Sequence, residues 1–469
     1  MRLLSLLQPP GQVFRLIENL FLRLLGLVYL IAFASLYPQI VGLVGANGIS
    51  PAADTLAAMH ADYGWRAYLD VPSLFWLFRS DAALQTICLL GCLAALLLML
   101  GLATRISAIS AYVLYLSLIT VGQPFTGFQW DALLLETGFL AIFAGATWLP
   151  FAYRLLLFRL MFESGFVKLT SGDPNWRNLH ALRYHFFTQP LPTPLAYYMQ
   201  QAPGWLLDTL TFATLVIELV APFFLFAHPR RVRQIAAAVL VSLQLFIALT
   251  GNYGFFNLLT IILCIWELDD ACFPARLTGL LTPPASLKLR FPRSLNIAVA
   301  FVILLSILQV FGLQPSLLEP LEIVNPYGLF AVMTTSRIEL VIEGSEDNLH
   351  WRPYLFRYKP GPPQGTLPLV APYQPRLDWQ MWFAPLGSPQ NSFWTRTLVF
   401  RLLSAEPTVL GLFKDTPFAK PPRQIRILAY SYTFAEPSER RRDGTIWERK
   451  LLGIWFGPVS IDSLDPKQF

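Results

Sequence analysis

The chain has 469 residues, of which 55% are hydrophobic and only 14% are charged, and its mean hydropathy is +0.49. Soluble domains carry about 25% charged and about 45–50% apolar residues, so this composition excludes a disordered chain, a coiled coil and an ordinary cytosolic enzyme. Charged residues are about twice as frequent after Leu313 as before it, and about half of the 37 prolines lie in that last third. The division predicts an α-helical membrane bundle at 1–313 and a soluble domain, here called the tail domain, at 314–469.

The formal net charge of +6 is spread over both parts, and neither part has the dense basic surface that nucleic-acid binding requires. We therefore predict the lipid bilayer as a partner and no nucleic acid. The four cysteines form no C-x-x-C pair and none lies in the tail domain, which argues against a disulfide framework and against thiol redox chemistry. They are Cys88, Cys92, Cys264 and Cys272, all within or beside apolar segments.

Nine apolar stretches are candidate bilayer-spanning helices, because a helix needs about 20 mostly apolar residues to cross a membrane. They are Leu20–Val44, Leu84–Ala103, Ile106–Val121, Ala132–Leu149, Tyr153–Leu169, Trp205–Ala227, Ile235–Thr250, Phe255–Leu268 and Leu295–Leu313. With a cytoplasmic N-terminus that includes Arg2, nine spans place the cationic clusters around Arg231 and Arg290 in the cytoplasm, as the positive-inside rule favours. The tail domain then lies outside.

The fifth stretch, Tyr153–Leu169, is ambiguous because it contains four charged residues. It could instead lie in the membrane interface, with Arg159 and Glu163 paired one helical turn apart. In that case both cationic clusters would fall outside, against the positive-inside rule. We therefore predict about nine spans, a cytoplasmic N-terminus and an extracytoplasmic loop at 170–204.

Ionisable side chains in or beside the apolar helices predict either a polar cavity that opens to the outer face or a set of ion pairs, because unpaired charges are costly in a bilayer. The candidate cavity residues are Glu163, Lys168, Arg183, His185, Asp208 and Glu218. In the alternative, Glu136 or Glu218 would bind a neighbouring cation such as Lys168. The sequence does not decide between the two.

Catalytic and metal-binding motifs are not found in the chain. His180 and His185 are five residues apart, so on a helix they diverge by about 140° and would not share a metal ion. There is no zinc-protease motif, no nucleophile elbow and no glycine loop for phosphate. We predict no catalytic residues, no metal and no cofactor.

The loop at 170–204 is the most distinctive connection in the chain. Asp173-Pro174 predicts the start of a short helix through His180, and the proline run Pro190–Pro194 predicts an extended path that exposes backbone carbonyls. Long ordered loops of this kind often have a function.

The tail domain has the alternating pattern of strands, interrupted by one helical stretch. The predicted strands are Ile338–Glu343, Trp351–Lys359, Ile425–Phe434 and Ile446–Trp455, and the helical stretch is Phe393–Phe413 with a break at Pro407. We predict a β-rich, sandwich-like domain with a helical insertion.

An aromatic-rich run in the tail domain could form either its core or a hydrophobic face for a folding client. Its candidate client-binding residues are Arg376, Asp378, Trp379, Trp382 and Phe383. Four bulky apolar residues within the five positions 379–383 cannot all face one way on a strand.

Seven runs of residues closely resemble those of the lipase maturation factor family. They are Ser171–Arg177, Tyr184–Pro194, Leu249–Thr260, Asn325–Phe330, Glu343–Ser345, Tyr358–Gly361 and Pro375–Phe383. The resemblance extends from about Phe14 to Pro458. It implies a multi-span protein, in animals of the endoplasmic reticulum, whose lumenal tail helps new lipases to become active. The membrane part is also distantly similar to the helical domain of vitamin K-dependent carboxylases. The family supplies no established catalytic residues.

These observations lead to one hypothesis and one alternative. The chain is predicted to be a chaperone-like maturation factor whose tail domain binds an exported, lipase-like client. Alternatively, it is a membrane-embedded enzyme that acts on a lipid or an exported protein from the polar cavity. A transporter is disfavoured because no internal repeat is visible. The tail has no cysteine and the chain has no N-x-Ser/Thr sequon or retention signal, so we expect a bacterial inner-membrane protein with a periplasmic tail, or a lumenal tail in a eukaryote.

Overall fold

The computed structural model describes residues 14–274, 293–389 and 392–463. Arg2 and Arg290, on which the topology prediction depends, lie outside these ranges. Within the described ranges, nine main helices form the N-terminal bundle, and each coincides with one predicted stretch. They are α1 (Arg15–Leu36), α2 (Asp81–Leu100), α3 (Thr104–Val121), α4 (Gln129–Ala141), α5 (Leu149–Thr170), α6 (Gly204–Val220), α7 (Arg230–Thr250), α8 (Phe256–Leu263) and α9 (Arg293–Val310).

Short helices fill the connections between these elements. The α-helical ones are Ile40–Val44, Ala52–Tyr63, Ala67–Asp70, Pro174–Arg177, Ala181–Thr188 and Pro194–Gln200. The 3₁₀ turns of the bundle are Gly64–Arg66, Leu74–Trp76, Ala221–Phe226, Cys264–Glu267 and Asp270–Cys272.

Five helices of the described chain are long and apolar enough to cross a membrane: α1, α2, α3, α7, and α6 with its extension to Phe226. Helix α5 has 22 residues but contains four charged side chains, whereas α4 has 13 residues, and α8 and α9 form shorter apolar segments. The helical membrane domain is therefore supported, and the count of nine spans stays a prediction.

The ambiguous helix α5 is buried in the bundle. Its Arg159 is fully buried and donates to Glu136 of α4 at 2.7 Å. The pair between Arg159 and Glu163, which belongs to the interfacial alternative, does not form. An interfacial helix would expose its polar face to water, which α5 does not do at Arg154, Arg159 or Lys168.

Close packing of α1 on α2 depends on glycine. A Cβ at Gly26 would lie 2.5 Å from the backbone nitrogen of Met99, and one at Gly91 would lie 2.3 Å from the ring of Phe33. Small residues at such crossings let helix backbones approach closely, which compensates for the lack of a hydrophobic driving force in lipid.

The tail domain contains one antiparallel sheet in the order β2-β1-β3-β4. Its strands are β1 (Arg337–Ser345), β2 (Trp351–Pro353), β3 (Gln424–Phe434) and β4 (Trp447–Val459). Its helices are α10 (Arg376–Phe383), α11 (Phe393–Leu403), Pro407–Leu410 and Pro437–Asp443, with 3₁₀ turns at Ser316–Leu321, Ala384–Leu386 and Ile461–Ser463. Helix α11 and the break at Pro407 confirm the predicted insertion.

The sandwich prediction is wrong for the described residues, which form a single sheet. The strand predicted at Trp351–Lys359 ends at Pro353, because the chain leaves β1 after Tyr354 and Leu355 pairs instead with Asp415. The second layer is helical: the apolar face of the sheet, including Ile342 and Ile427, belongs to the same core as the bundle and α11.

The segment that joins α9 to β1 enters the bundle instead of crossing open solvent. The backbone nitrogen of Asn325 and the hydroxyl of Tyr327 both donate to Glu136 at 2.9 Å, and the backbone nitrogen of Tyr327 donates to Glu163 at 2.8 Å. Met333 donates its backbone nitrogen to Asp173 at 2.7 Å. The composition changes near Leu313, but the bundle and the tail domain share one core.

Candidate functional site

The candidate polar residues do not form one cavity. Lys168 and Glu218 form a buried ion pair, with the lysine Nζ 2.8 Å and 2.7 Å from the two carboxylate oxygens. Glu163 accepts from the linker at Tyr327, and Arg183 pairs with Asp208 on the half-exposed side of α6, with 2.7 Å between Nε and Oδ1.

A small space, here called the Lys168 cavity, lies beside the buried ion pair. Its volume is about 50 Å³. The lining residues are Leu160, Met161, Ser164, Lys168, Glu218, Gln244, Ile247, Tyr253, Phe256, Leu329 and Phe330. Since a water molecule needs roughly 10–15 Å³ of such space, the cavity has room for about three waters.

His185 adjoins the cavity through Tyr253. The Tyr253 hydroxyl donates to Gln189 at 2.8 Å and lies 3.3 Å from Nε2 of His185, whose ring packs edge-on against Phe330. Desolvation, with a smaller contribution from the charge on Lys168, lowers the pKa of His185 to about 4. The imidazole is therefore neutral at pH 7.

The chemistry available to this arrangement is restricted. The ammonium of Lys168 and the carboxylate of Glu218 neutralise each other: Nζ donates to both carboxylate oxygens and also to the Ser164 carbonyl at 3.2 Å. Pockets that hold drug-sized ligands measure roughly 300–1,000 Å³, so the Lys168 cavity is too small in this conformation for a lipid or a peptide.

Sequence reasoning missed Tyr253 as a member of this site. The available signal was its position in the tight turn Gly251–Gly254 between two apolar helices. Its neighbour Asn252 binds the tail domain: Nδ2 donates to the Pro368 carbonyl at 2.9 Å, and Oδ1 accepts from the backbone nitrogen of Val370 at 2.7 Å.

The predicted client-binding run is the helix α10, and most of it is buried between bundle and sheet. Arg376 is 0% exposed, and Asp378 and Trp379 are each 3% exposed. Trp382 is half-buried and donates to the Thr188 carbonyl at 2.7 Å, whereas Phe383 is 37% exposed. A client that met this conformation would reach only Trp382 and Phe383 of the five, because Arg376 and Trp379 contact the bundle and Asp378 is bound inside the tail domain.

Arg376 forms the central polar contact of this helix. Its two terminal nitrogens lie 2.6 Å and 2.8 Å from the two oxygens of Asp131 in α4, and both side chains are fully buried. Asp378 accepts from the backbone nitrogens of Tyr358 and Lys359 at 2.7 Å and 2.9 Å. Burial raises the pKa of Asp378, and these hydrogen bonds act in the opposite direction.

The proline run of the 170–204 loop supplies a second contact with the tail domain. Arg337 of β1 donates to the carbonyls of Phe187 at 3.0 Å and Pro190 at 2.9 Å, and also to the Gln189 carbonyl. The extended path therefore exposes carbonyls, as predicted, and an arginine of the tail binds them.

Comparison with known proteins identifies both parts of the chain. Residues 16–275 match the lipase maturation factor transmembrane domain, and residues 323–457 match the lipase maturation factor C-terminal domain. The chain belongs to the lipase maturation factor family.

Similarity to relatives of this family covers nearly the whole chain. Lipase maturation factor 1 of Bos taurus is 33% identical over 97% of this chain and 93% of its own length. Lipase maturation factor 2 of Homo sapiens is 34% identical over 95% of this chain and 83% of its own. Lipase maturation factor 2 of Xenopus laevis is 35% identical over 96% of this chain and 83% of its own length. No solved structure matches.

We predict that breaking the buried ion pair of Arg376 destabilises this family member strongly. The Arg376→Met variant leaves Asp131 charged and unpaired, so its free energy of unfolding should fall by about 3–5 kcal/mol. Thermal unfolding in detergent, followed by tryptophan fluorescence, measures this. The double variant Arg376→Met/Asp131→Leu should recover most of the loss, and Lys420→Met at an exposed position should match the wild type. Equal unfolding of all four proteins would contradict the assignment.

We also predict that His185 makes stability depend on pH. Its pKa is about 4 in the folded protein and about 6.5 when unfolded, so between these values the unfolded state binds more protons. Stability should therefore fall as the pH decreases from about 6.5 toward 4. The His185→Gln variant cannot titrate, so its unfolding temperature should fall less over this range. If the unfolding temperatures of the two proteins fell equally over this pH range, His185 would be solvated and the prediction would be wrong.

Proposed function

We propose that this chain is a membrane-anchored, chaperone-like maturation factor that assists the folding or assembly of exported lipases through its extracytoplasmic tail domain. Its relatives are named lipase maturation factors, which supports a role in lipase maturation. The observation on which the mechanism rests is the burial of tail residues in the bundle, above all the pair of Arg376 with Asp131. This contact holds the tail domain at a fixed position next to the membrane helices.

A fixed tail domain suits a factor that acts on polypeptides as they emerge from the membrane. The exposed apolar side chains of the tail include Phe383 and those of the edge strand β4, namely Leu451, Leu452 and Ile454. A partly folded client exposes apolar surface and unpaired strand edges, which such a surface can cover until the client has assembled. In this proposal the tail lies in the periplasm, or in the lumen if the chain is eukaryotic.

The alternative is an enzyme acting on a lipid or an exported protein at the Lys168 cavity. The observation in its favour is that an acid, a base, a phenol and an imidazole lie close together in Glu218, Lys168, Tyr253 and His185. Against it stand the small volume of about 50 Å³ and the mutual pairing of the acid and the base.

Replacing the ion pair of Lys168 and Glu218 by apolar residues distinguishes a maturation factor from an enzyme that acts at the Lys168 cavity. Exchange of a buried ion pair for apolar residues of similar size is often neutral for stability, whereas removal of one partner is costly. We predict that Lys168→Met/Glu218→Met retains both membrane abundance and lipase maturation, and that Glu218→Met alone loses abundance. Loss of maturation by the double variant at normal abundance would favour the enzyme.

A complementation experiment tests the proposed function directly. We predict that expression of this chain in cells lacking their own maturation factor raises the specific activity, per mass secreted, of a co-expressed dimeric lipase. A secreted monomeric phosphatase is the control and should be unaffected. No rise in lipase activity, with the chain present in the membrane, would refute the proposal.

A further inference from the structure

A cleft of about 270 Å³ lies in the tail domain between β1 and the loop that follows β2. This tail cleft adjoins the contact with the bundle at Pro368, whose carbonyl accepts from Asn252. Its lining residues are Leu340, Val341, Glu343, Pro353, Tyr354, Leu355, Phe356, Arg357, Tyr358, Lys359, Pro360, Gly361, Pro362, Gly365, Thr366, Pro368, Lys414 and Arg449. Four prolines and three aromatic residues stiffen its walls and supply apolar surface, and five charged residues line it as well.

The charges of the tail cleft are unbalanced in favour of cations. Two of its five charged side chains are satisfied inside the protein: Glu343 binds Arg426 at 2.8 Å, and Lys359 binds Glu339 at 2.6 Å. The other three are Arg357, Lys414 and Arg449, all exposed, and none has a carboxylate partner among the residues that the structure describes.

Two of these three cations, Lys414 and Arg449, can be substituted without losing a side-chain hydrogen bond to the described backbone, whereas Arg357 cannot. Arg357 donates to the Gly411 carbonyl at 2.7 Å and so supports the fold. Arg449 lies over the ring of Tyr430 at 4.9 Å, and the side chain of Lys414 extends from an exposed position. The rim of the cleft therefore presents positive charge that has no carboxylate partner among the described residues, although Arg449 also packs on Tyr430.

An exposed apolar surface lies on the same face of the sheet as the tail cleft. Val341 of the cleft wall pairs with Leu428 of β3, which pairs in turn with Ile454 of β4, so the three residues lie in one row. Leu428 is only 6% exposed, whereas Ile454 is 58% exposed and Leu451 beside it is 53% exposed, so the exposed part of this face lies on β4. Among the described residues β4 is the last strand of the sheet, so its outer backbone groups face no further described strand.

We propose that the tail cleft binds an extended segment of the client polypeptide that carries an acidic side chain next to apolar ones. This inference rests on the proposed function, because the client is the exported protein that the tail assists. The positive rim formed by Lys414 and Arg449 attracts the carboxylate, and the proline and aromatic walls accept the apolar side chains. The row that ends at Ile454 and the free edge of β4 accommodate the rest of an extended chain.

Peptide binding to the full-length protein in detergent tests the inference. The probes are two fluorescent 12-residue peptides of equal apolar content, one with two glutamates and one with two lysines at the same positions, followed by fluorescence anisotropy. The wild type should bind the acidic peptide at least tenfold more tightly than the basic one. Lys414→Glu/Arg449→Glu should weaken binding of the acidic peptide at least tenfold at an unchanged unfolding temperature. The control Lys420→Glu/Arg441→Glu changes two exposed cations outside the cleft and should bind as the wild type does.

Three results would overturn the inference. One is that the wild type binds neither peptide, and another is that the cleft variant binds the acidic peptide as tightly as the wild type. The third is complete displacement of the acidic peptide by short-chain phosphatidylglycerol but not by phosphatidylcholine, which would make the cleft a site for an anionic headgroup.

The lipase assay separates failure of this inference from failure of the proposed function. The cleft variant should lose the rise in specific activity that the wild type gives, and the control variant should keep it. If the wild type and the cleft variant raise lipase activity equally, the cleft is not the client site although the proposed function stands. If the wild type itself gives no rise, the proposed function fails, and the peptide measurement still decides whether the cleft binds an acidic segment.

Discussion

The pairing of Arg376 with Asp131 is the interaction on which the arrangement of this protein depends. These two fully buried charges are stable only as a pair, because removal of either leaves the other without compensation in a low-dielectric interior. One charge belongs to the tail domain and the other to the bundle. Detachment of the tail domain would therefore separate the two charges and leave each without its partner. This explains why a domain with a soluble composition shares a continuous apolar core with membrane helices.

Five of the seven runs that carry the family resemblance supply residues to this contact. Asn252 fixes the segment around Val370, Trp176 donates to the Phe330 carbonyl at 2.9 Å, and Tyr327 reaches Glu136 inside the bundle. These residues hold two domains in one geometry, and that role accounts for motifs that contain no recognisable catalytic chemistry. The Lys168 cavity is a by-product of the same contact, since the linker residue Phe330 closes one of its walls.

The sequence predicted the elements well and their partners poorly. Apolar periodicity located the nine main helices of the described bundle and three strands of the sheet, because those patterns are local. It left open whether Arg376, Asp378 and Trp379 face the core or a client, because that depends on Asp131, which lies more than two hundred residues away along the chain. The sandwich prediction failed for the same reason: strand alternation after Pro353 is real, but helix α11 and the bundle, and not a second sheet, cover the apolar face. Pairing of Lys168 with Glu218 was one of two alternatives that composition alone left open.

Rigid attachment also determines which surfaces of the tail domain remain for a client. The face of the sheet that includes Ile342 is occupied by the shared core, and α10 is enclosed, so neither can bind another protein without unfolding the contact. The opposite face is covered where Arg337 binds the proline run and where Lys359 binds Glu339, and beside these contacts it opens into the tail cleft and the edge of β4. If the chain acts as proposed, a client meets a surface whose position relative to the bundle is set by buried charges. Such a platform would favour the capture of a chain soon after it leaves the membrane, because ordering the tail costs no further entropy at the moment of binding.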